Sequence, residues 1–147
     1  MNGELGLRFR PTSQFNFEQT YIYSRLRTPG GLELQETPTS TTIFNNHISR
    51  SKVNYQFTRE LSLRAILDYQ AVLPNTDLVE LEREKRLNTD FLLTYLLNPG
   101  TALHVGYTDG YENLRLDPTN SLFLRGGAPT TSVGRQFFVK MSYLLRF

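Results

Sequence analysis

The sequence predicts an all-β fold, an antiparallel meander of about seven strands. Three observations predict it. Segments in which apolar and polar residues alternate recur along the chain, and turn-forming residues separate them. The connections between these segments alternate between short and long. The chain also lacks any window of about 18 apolar residues, which a membrane-spanning helix requires.

Residues 3–10 and 15–27 are the first two predicted strands. In both, every second side chain is apolar, so that one face of the strand is apolar. The apolar members are Leu5, Leu7, Phe9, Phe17, Tyr21 and Tyr23. Gln19 interrupts this face of the second strand. Residues 11–14 are predicted to form a short turn and the Pro- and Gly-containing stretch 28–41 a long loop.

The third and fourth strands are expected at residues 43–57 and 61–70, joined by a tight turn at 58–60. Counting back from this turn predicts the cross-strand pairs Asn54–Arg64 and Arg50–Asp68. The following charged connection, residues 71–86, is interpreted as an acidic hairpin extension. A short helix capped by Thr76 is the alternative, but its apolar face would hold only two leucines.

The fifth strand is expected at residues 87–97, and alternating apolar residues from Leu103 to Tyr107 mark the sixth. Asn98-Pro99-Gly100-Thr101 between them is a strong turn signal, since Pro presets φ and Gly permits positive φ. The longest predicted loop, about 109–134, leads to the seventh strand at 137–147.

The seventh strand carries the pattern that predicts a membrane location. Its odd-numbered residues are apolar at Phe137, Val139, Met141, Tyr143, Leu145 and Phe147. The other parity is polar apart from Phe138 and Leu144. Outer-membrane barrels alternate in this way, with lipid outside and a polar lumen inside, and they have tight periplasmic turns and long outer loops. A soluble sandwich would alternate too, but it has no reason to sort its loops by length.

The orientation that follows predicts an incomplete barrel. If the short turns are periplasmic, the seventh strand ends in the periplasm and the first begins outside. Bacterial barrels also have even strand numbers. Residues 1–147 are therefore expected to be a single segment, the C-terminal part of a transmembrane outer-membrane β-barrel. Upstream strands and the signal peptide are expected to lie outside this sequence, since Asn2-Gly3-Glu4 resembles no export signal.

One family resembles this chain in several segments. They are residues 87–95, 98–101, 105–107 and 136–147, and the similarity extends back through 46–52 and 55–57. The family is the set of bacterial proteins labelled domain of unknown function 5916. The resemblance implies an outer-membrane barrel preceded by a family 9-like carbohydrate-binding module. That module is not in this sequence, so no sugar-binding residue and no reaction are carried over.

Little in the chain indicates catalysis. With no cysteine and two histidines, neither a metal site nor a cofactor is expected. A net charge of +2 with dispersed basic residues argues against nucleic acid as a partner. His104 is expected to be a polar lumen side chain beside Thr94 or Leu96. His47, with Ser49 and Ser51 nearby, invites a hydrolase hypothesis, but a third orienting group is not evident.

Two sets of residues are predicted to matter. The lumen-facing charges are Arg50, Lys52, Arg64, Asp68, Asp90 and Lys140. By resemblance to other outer-membrane proteins, an assembly signal is formed by the terminal residues of one parity, Met141, Tyr143, Leu145 and Phe147. Its exposed backbone would be recognised by strand addition. Outward aromatic residues near both strand ends are expected to form belts at the lipid interfaces.

The predicted function is non-enzymatic: a structural or porin-like transport role in the outer membrane of a Gram-negative bacterium. The expected partners are outer-membrane lipid, the assembly machinery, and a small solute or carbohydrate. Two alternatives stay open at this point. One is an outer-membrane hydrolase with active residues partly in missing strands, and the other is a soluble antiparallel β domain that binds a ligand.

Overall fold

Strands dominate the computed structural model, which describes residues 2–27, 42–117, 119 and 122–144. The long strands are β1 (Asn2–Thr12), β2 (Phe15–Arg27), β3 (Thr42–Gln56), β4 (Leu61–Pro74), β5 (Glu84–Asn98), β6 (Thr101–Glu112) and β9 (Thr131–Tyr143). Two short strands, β7 (Leu114–Leu116) and β8 (Phe123–Arg125), form a separate hairpin within the longest predicted loop. The seven predicted strands are confirmed.

The large sheet is an antiparallel meander with the order β1-β2-β3-β4-β5-β6-β9. It is open, because β1 and β9 are its edges and do not pair with each other. The predicted register between β3 and β4 is confirmed: Arg50 lies opposite Asp68, and Asn54 lies opposite Arg64. Gly100 in the β5–β6 turn has φ of 101°. This is a positive-φ conformation, which glycine adopts without steric cost.

Several strands run farther than their alternation predicted. Strand β4 continues to Pro74 and β5 begins at Glu84, while β9 begins at Thr131 rather than at residue 137. The main-chain ladder extends wherever a neighbouring strand offers partners, even when the side chains are polar. The alternative of a helix within residues 76–86 is wrong, because a turn and the first residues of β5 occupy that stretch. Among the described residues, no helix is long and apolar enough to cross a lipid bilayer.

The register gives the sheet two chemically distinct faces. In the regular part of each strand pair, odd-numbered residues lie opposite odd-numbered residues, so they share one face, here named the odd face. Even-numbered residues form the even face. One row of the odd face crosses the whole sheet without a charge. This apolar row consists of Phe9, Phe17, Val53, Ala65, Phe91, Tyr107 and Phe137.

No second layer covers the sheet within the described residues. Among them, only Ala71 and Ala102 are buried hydrophobic side chains. Val139, Met141 and Tyr143, which a soluble sandwich would pack beneath another layer, are 60%, 65% and 66% exposed. The stability of this sheet therefore rests on backbone pairing and side-chain contacts within the sheet rather than on a packed core.

Phe138 is one of the apolar residues on the even face of β9, and Gly106 explains its place there. The two residues lie opposite each other on β9 and β6. A Cβ added to Gly106 would lie 2.1 Å from the Phe138 ring. The ring thus lies over the glycine backbone, in space that any other residue would fill.

Candidate functional site

The even face gathers the six charges that the sequence assigned to a lumen. Arg50, Lys52, Arg64, Asp68, Asp90 and Lys140 all lie on it, on four of the seven strands. Their common parity follows from the period of two within each strand and from the register between strands. Whether this face encloses a lumen depends on closure of the sheet, which the open meander does not supply.

Most even-face charges are paired across neighbouring strands. Glu18 on β2 lies between two cations: Arg8 Nη2 is 3.0 Å from Glu18 Oε1, and Lys52 Nζ is 3.7 Å from Glu18 Oε2. On β3 and β4, Arg50 Nε donates to Asp68 Oδ2 at 3.0 Å. These pairs are partly exposed, so each stabilises the fold by less than about 1 kcal/mol. Their arrangement suits a polar wall and offers no activated nucleophile.

A hollow of about 500 Å³ lies on the even face at the end of the sheet that carries the tight turns. Side chains from the first five strands line it, among them Arg10, Asn16, Asn54, Arg64 and Thr94. Residues of the tight turns, among them Arg59 and Glu60, also line it. The hollow therefore lies between the polar face and the turn residues.

At the opposite end, the even face carries a chain of ion pairs that the sequence did not reveal. Arg86 Nη2 lies 2.9 Å from Glu84 Oε1 and 3.0 Å from Glu112 Oε1. Arg125 of the β7–β8 hairpin contacts Glu112 Oε2 at 3.2 Å and Glu82 Oε2 at 3.3 Å. This hairpin is thereby held to the sheet. No local pattern could assign Arg125, because its partners are distant in sequence.

Buried Asn113 also holds this region together. Its side-chain nitrogen donates to the carbonyl oxygens of Arg83 and Gly126, at 2.8 Å and 3.0 Å. Its Oδ1 accepts from the backbone N–H of Lys85 at 2.9 Å. One fully buried amide therefore joins the start of β5 to the loop that follows β8.

Neither histidine belongs to a catalytic arrangement among the described residues. His104 lies opposite Thr94, as predicted, and its Nδ1 is 3.2 Å from Thr94 Oγ1. On the odd face, the hydroxyl of Tyr21 is 2.7 Å from His47 Nδ1. Ser49 Oγ instead accepts a hydrogen bond from Gln19 Nε2 at 2.9 Å. His47 and Ser49 thus have different partners, and the Ser-His pairing of the hydrolase hypothesis is not formed.

The most deeply buried charge on the sheet is one that sequence reasoning missed. Asp109 is completely buried on the odd face. Its carboxylate accepts hydrogen bonds from four side chains at 2.7–3.1 Å: Tyr107, Tyr111, Ser132 and Arg135. The spacing Tyr107-x-Asp109-x-Tyr111, which puts all three side chains on one face of a strand, is the signal that could have found it.

Two further features concern metal binding and the predicted assembly signal. Within the described part of the chain, no group of three or more His, Cys, Asp or Glu side chains could hold a metal ion. Of the predicted assembly signal, Met141 and Tyr143 lie on the exposed odd face of β9. Leu145 and Phe147 lie outside the described residues.

Comparison of the chain with protein-family models, with curated proteins and with solved structures gives no match.

Proposed function

We propose that this chain is the C-terminal part of an outer-membrane β-barrel, of the kind found in the domain of unknown function 5916 family, and that its even face lines a passage for small solutes. One observation carries the proposal. The odd face is apolar and exposed in the rows nearest the tight turns, whereas the even face carries a hollow and cross-strand ion pairs. In a barrel, the apolar odd face would contact lipid on the outside, and the charged even face would contact water on the inside. The role is non-enzymatic, structural or porin-like.

The free edges of the sheet support an incomplete barrel. Every residue of β1 is exposed, and so is nearly every residue of β9. A long unpaired edge in lipid would leave backbone polar groups without partners, so spanning sheets must close. An odd number of further strands between the two edges would provide that closure and would bring the seven strands of this sheet to an even number.

The positions of three outward tyrosines also support the proposal, whereas Tyr21 and Tyr111 share the row of Tyr69. Tyr23 on β2, Tyr69 on β4 and Tyr107 on β6 lie progressively closer to the tight turns when followed through the register. Strands in a barrel tilt by about 35–45° to its axis. A belt at constant depth must therefore cross the strands diagonally, as these tyrosines do.

Quenching of the fluorescence of an introduced tryptophan tests the proposal. This chain contains no tryptophan of its own that would add to the signal. Leu92 and Leu93 are neighbours on central strand β5 and face opposite sides. The single substitutions Leu93→Trp and Leu92→Trp are made in the complete barrel protein to which this chain is proposed to belong. Each variant is refolded into vesicles with brominated acyl chains, and its quenching is compared with that of the unsubstituted protein. We expect strong quenching for Leu93→Trp and little for Leu92→Trp. Equal quenching of both, or quenching of neither, would contradict the proposal.

The terminal segment provides a separate test of membrane assembly. If Phe147 completes the signal that the assembly machinery recognises, deleting it or introducing Phe147→Asp impairs assembly. Heat-modifiable mobility on gels measures the assembled fraction. Arg146→Gln, at the neighbouring position of opposite parity, is the control and should assemble normally. Normal assembly of the Phe147 variants would show that the signal lies elsewhere.

A further inference from the structure

The hollow on the even face differs from the rest of that face in its charge balance. Three arginines line it, Arg10, Arg59 and Arg64, together with one carboxylate, Glu60. Glu60 Oε2 already accepts a hydrogen bond from Thr58 Oγ1 at 3.0 Å within the turn. The cations therefore outnumber the acidic groups at this end of the sheet.

The three arginines of the hollow form no ion pair with any residue in the described part of the chain. Elsewhere on this face, cations such as Arg50 and Arg86 lie against carboxylates. Across the strands from Arg64 lie Asn54 and Leu92, both neutral. The guanidinium donors in the hollow are thus available to a ligand.

We infer that this hollow binds the oxyanion group of a small solute, a carboxylate or a phosphate. Guanidinium groups present a planar fork of donors that matches the oxygens of either group. Several cations gathered around one hollow also attract anions from solution. Ser62, which also lines the hollow, adds a hydroxyl that can donate to the solute. The inference rests on the proposed passage, whose substrate class it names.

Titration calorimetry on the complete barrel protein, reconstituted in lipid vesicles, tests the inference. The probes are sodium glucuronate, inorganic phosphate and glucose, the last being a neutral sugar. We expect heat of binding with glucuronate, phosphate or both, and none with glucose. Binding of glucuronate alone identifies a sugar acid as the solute class, and binding of phosphate alone identifies a phosphorylated one. Binding of glucose as tight as that of the anions, or no binding of either anion, would overturn the inference.

Two matched variants localise the site. Arg64→Gln removes a charge from the hollow, and we expect it to weaken anion binding by about tenfold. Lys140→Gln removes a charge from the same face outside the hollow, and it should leave binding unchanged. Equal weakening by both variants would mean that the overall charge of the face, and not this hollow, attracts the anion. Arg64→Lys, which keeps the charge but loses the fork, replaces Arg64→Gln if the latter does not fold.

Failure of this inference can be told apart from failure of the proposed function. The same vesicle preparations carry the Leu93→Trp reporter. Quenching without anion binding would overturn the oxyanion site and leave the barrel proposal intact. Absence of quenching would count against the barrel itself.

Discussion

Two neighbouring rows on the odd face of the sheet differ sharply. The apolar row, from Phe9 to Phe137, crosses all seven strands without a charged side chain, and Phe137 is 66% exposed. The next row, two residues farther from the tight turns on every strand, is here named the polar row. It consists of Leu7, Gln19, Ser51, Leu67, Thr89, Asp109 and Arg135.

The two rows differ in the partners of their side chains. The polar side chains of the polar row bond to their own neighbours. Asp109 accepts from four donors, and Gln19 donates to Ser49 and accepts from Ser51. Apart from Tyr107, whose hydroxyl donates to Asp109, the side chains of the apolar row are hydrocarbon and need an apolar surrounding. A polar group can therefore lie on this face when it is already hydrogen-bonded, because the cost of removing it from water is then largely offset.

The largest effect is expected from Asp109→Ala in the polar row. The substitution leaves Arg135, Ser132 and two tyrosine hydroxyls without their shared acceptor, and each hydrogen bond to a charged group stabilises a protein by about 1.5–3 kcal/mol. We expect the urea midpoint of unfolding to fall by about 2 M. Asp90→Ala is the control, since Asp90 accepts one hydrogen bond, from Thr108. If both variants unfold at the same midpoint, the Asp109 cluster does not hold β9 to β6.

A second prediction contrasts the two rows directly on β5. Phe91→Arg puts a charge in the apolar row, and Thr89→Arg puts one in the polar row. If the apolar row faces acyl chains, Phe91→Arg destabilises the inserted chain by about 2–4 kcal/mol, and Thr89→Arg by about 0–1 kcal/mol. Urea titration of vesicle-inserted chains measures both. Similar losses would show that the boundary between the rows is not a lipid boundary.

The smallest effect concerns the Gln19 cluster. Ser51→Ala removes the donor to Gln19 Oε1 and should lower the free energy of unfolding by about 1 kcal/mol, because a partly buried acceptor loses its hydrogen bond. In a chain that already carries Gln19→Leu, the same substitution should cost almost nothing. A double-mutant cycle measures this coupling. A coupling energy near zero would mean that the hydrogen bond does not stabilise the polar row.

The sequence predicted the strands well but their ends poorly. Alternation within β3 and β4 and the tight turn between them were sufficient to predict the Arg50–Asp68 and Asn54–Arg64 pairs. Alternation did not predict that β9 begins at Thr131, because the first residues of that strand are polar. Their strand conformation depends on pairing with the end of β6.

Local pattern by itself determined that this chain is an antiparallel meander with one apolar and one polar face, since both properties follow from a period of two and from short turns. Only the tertiary structure decided where that rule is broken. The bulge in the β6–β9 pairing moves Ser132 to the odd face beside Asp109, and Gly106 gives Phe138 a place on the even face. Both depend on residues far apart in sequence, which come into contact only when the last strand pairs with β6.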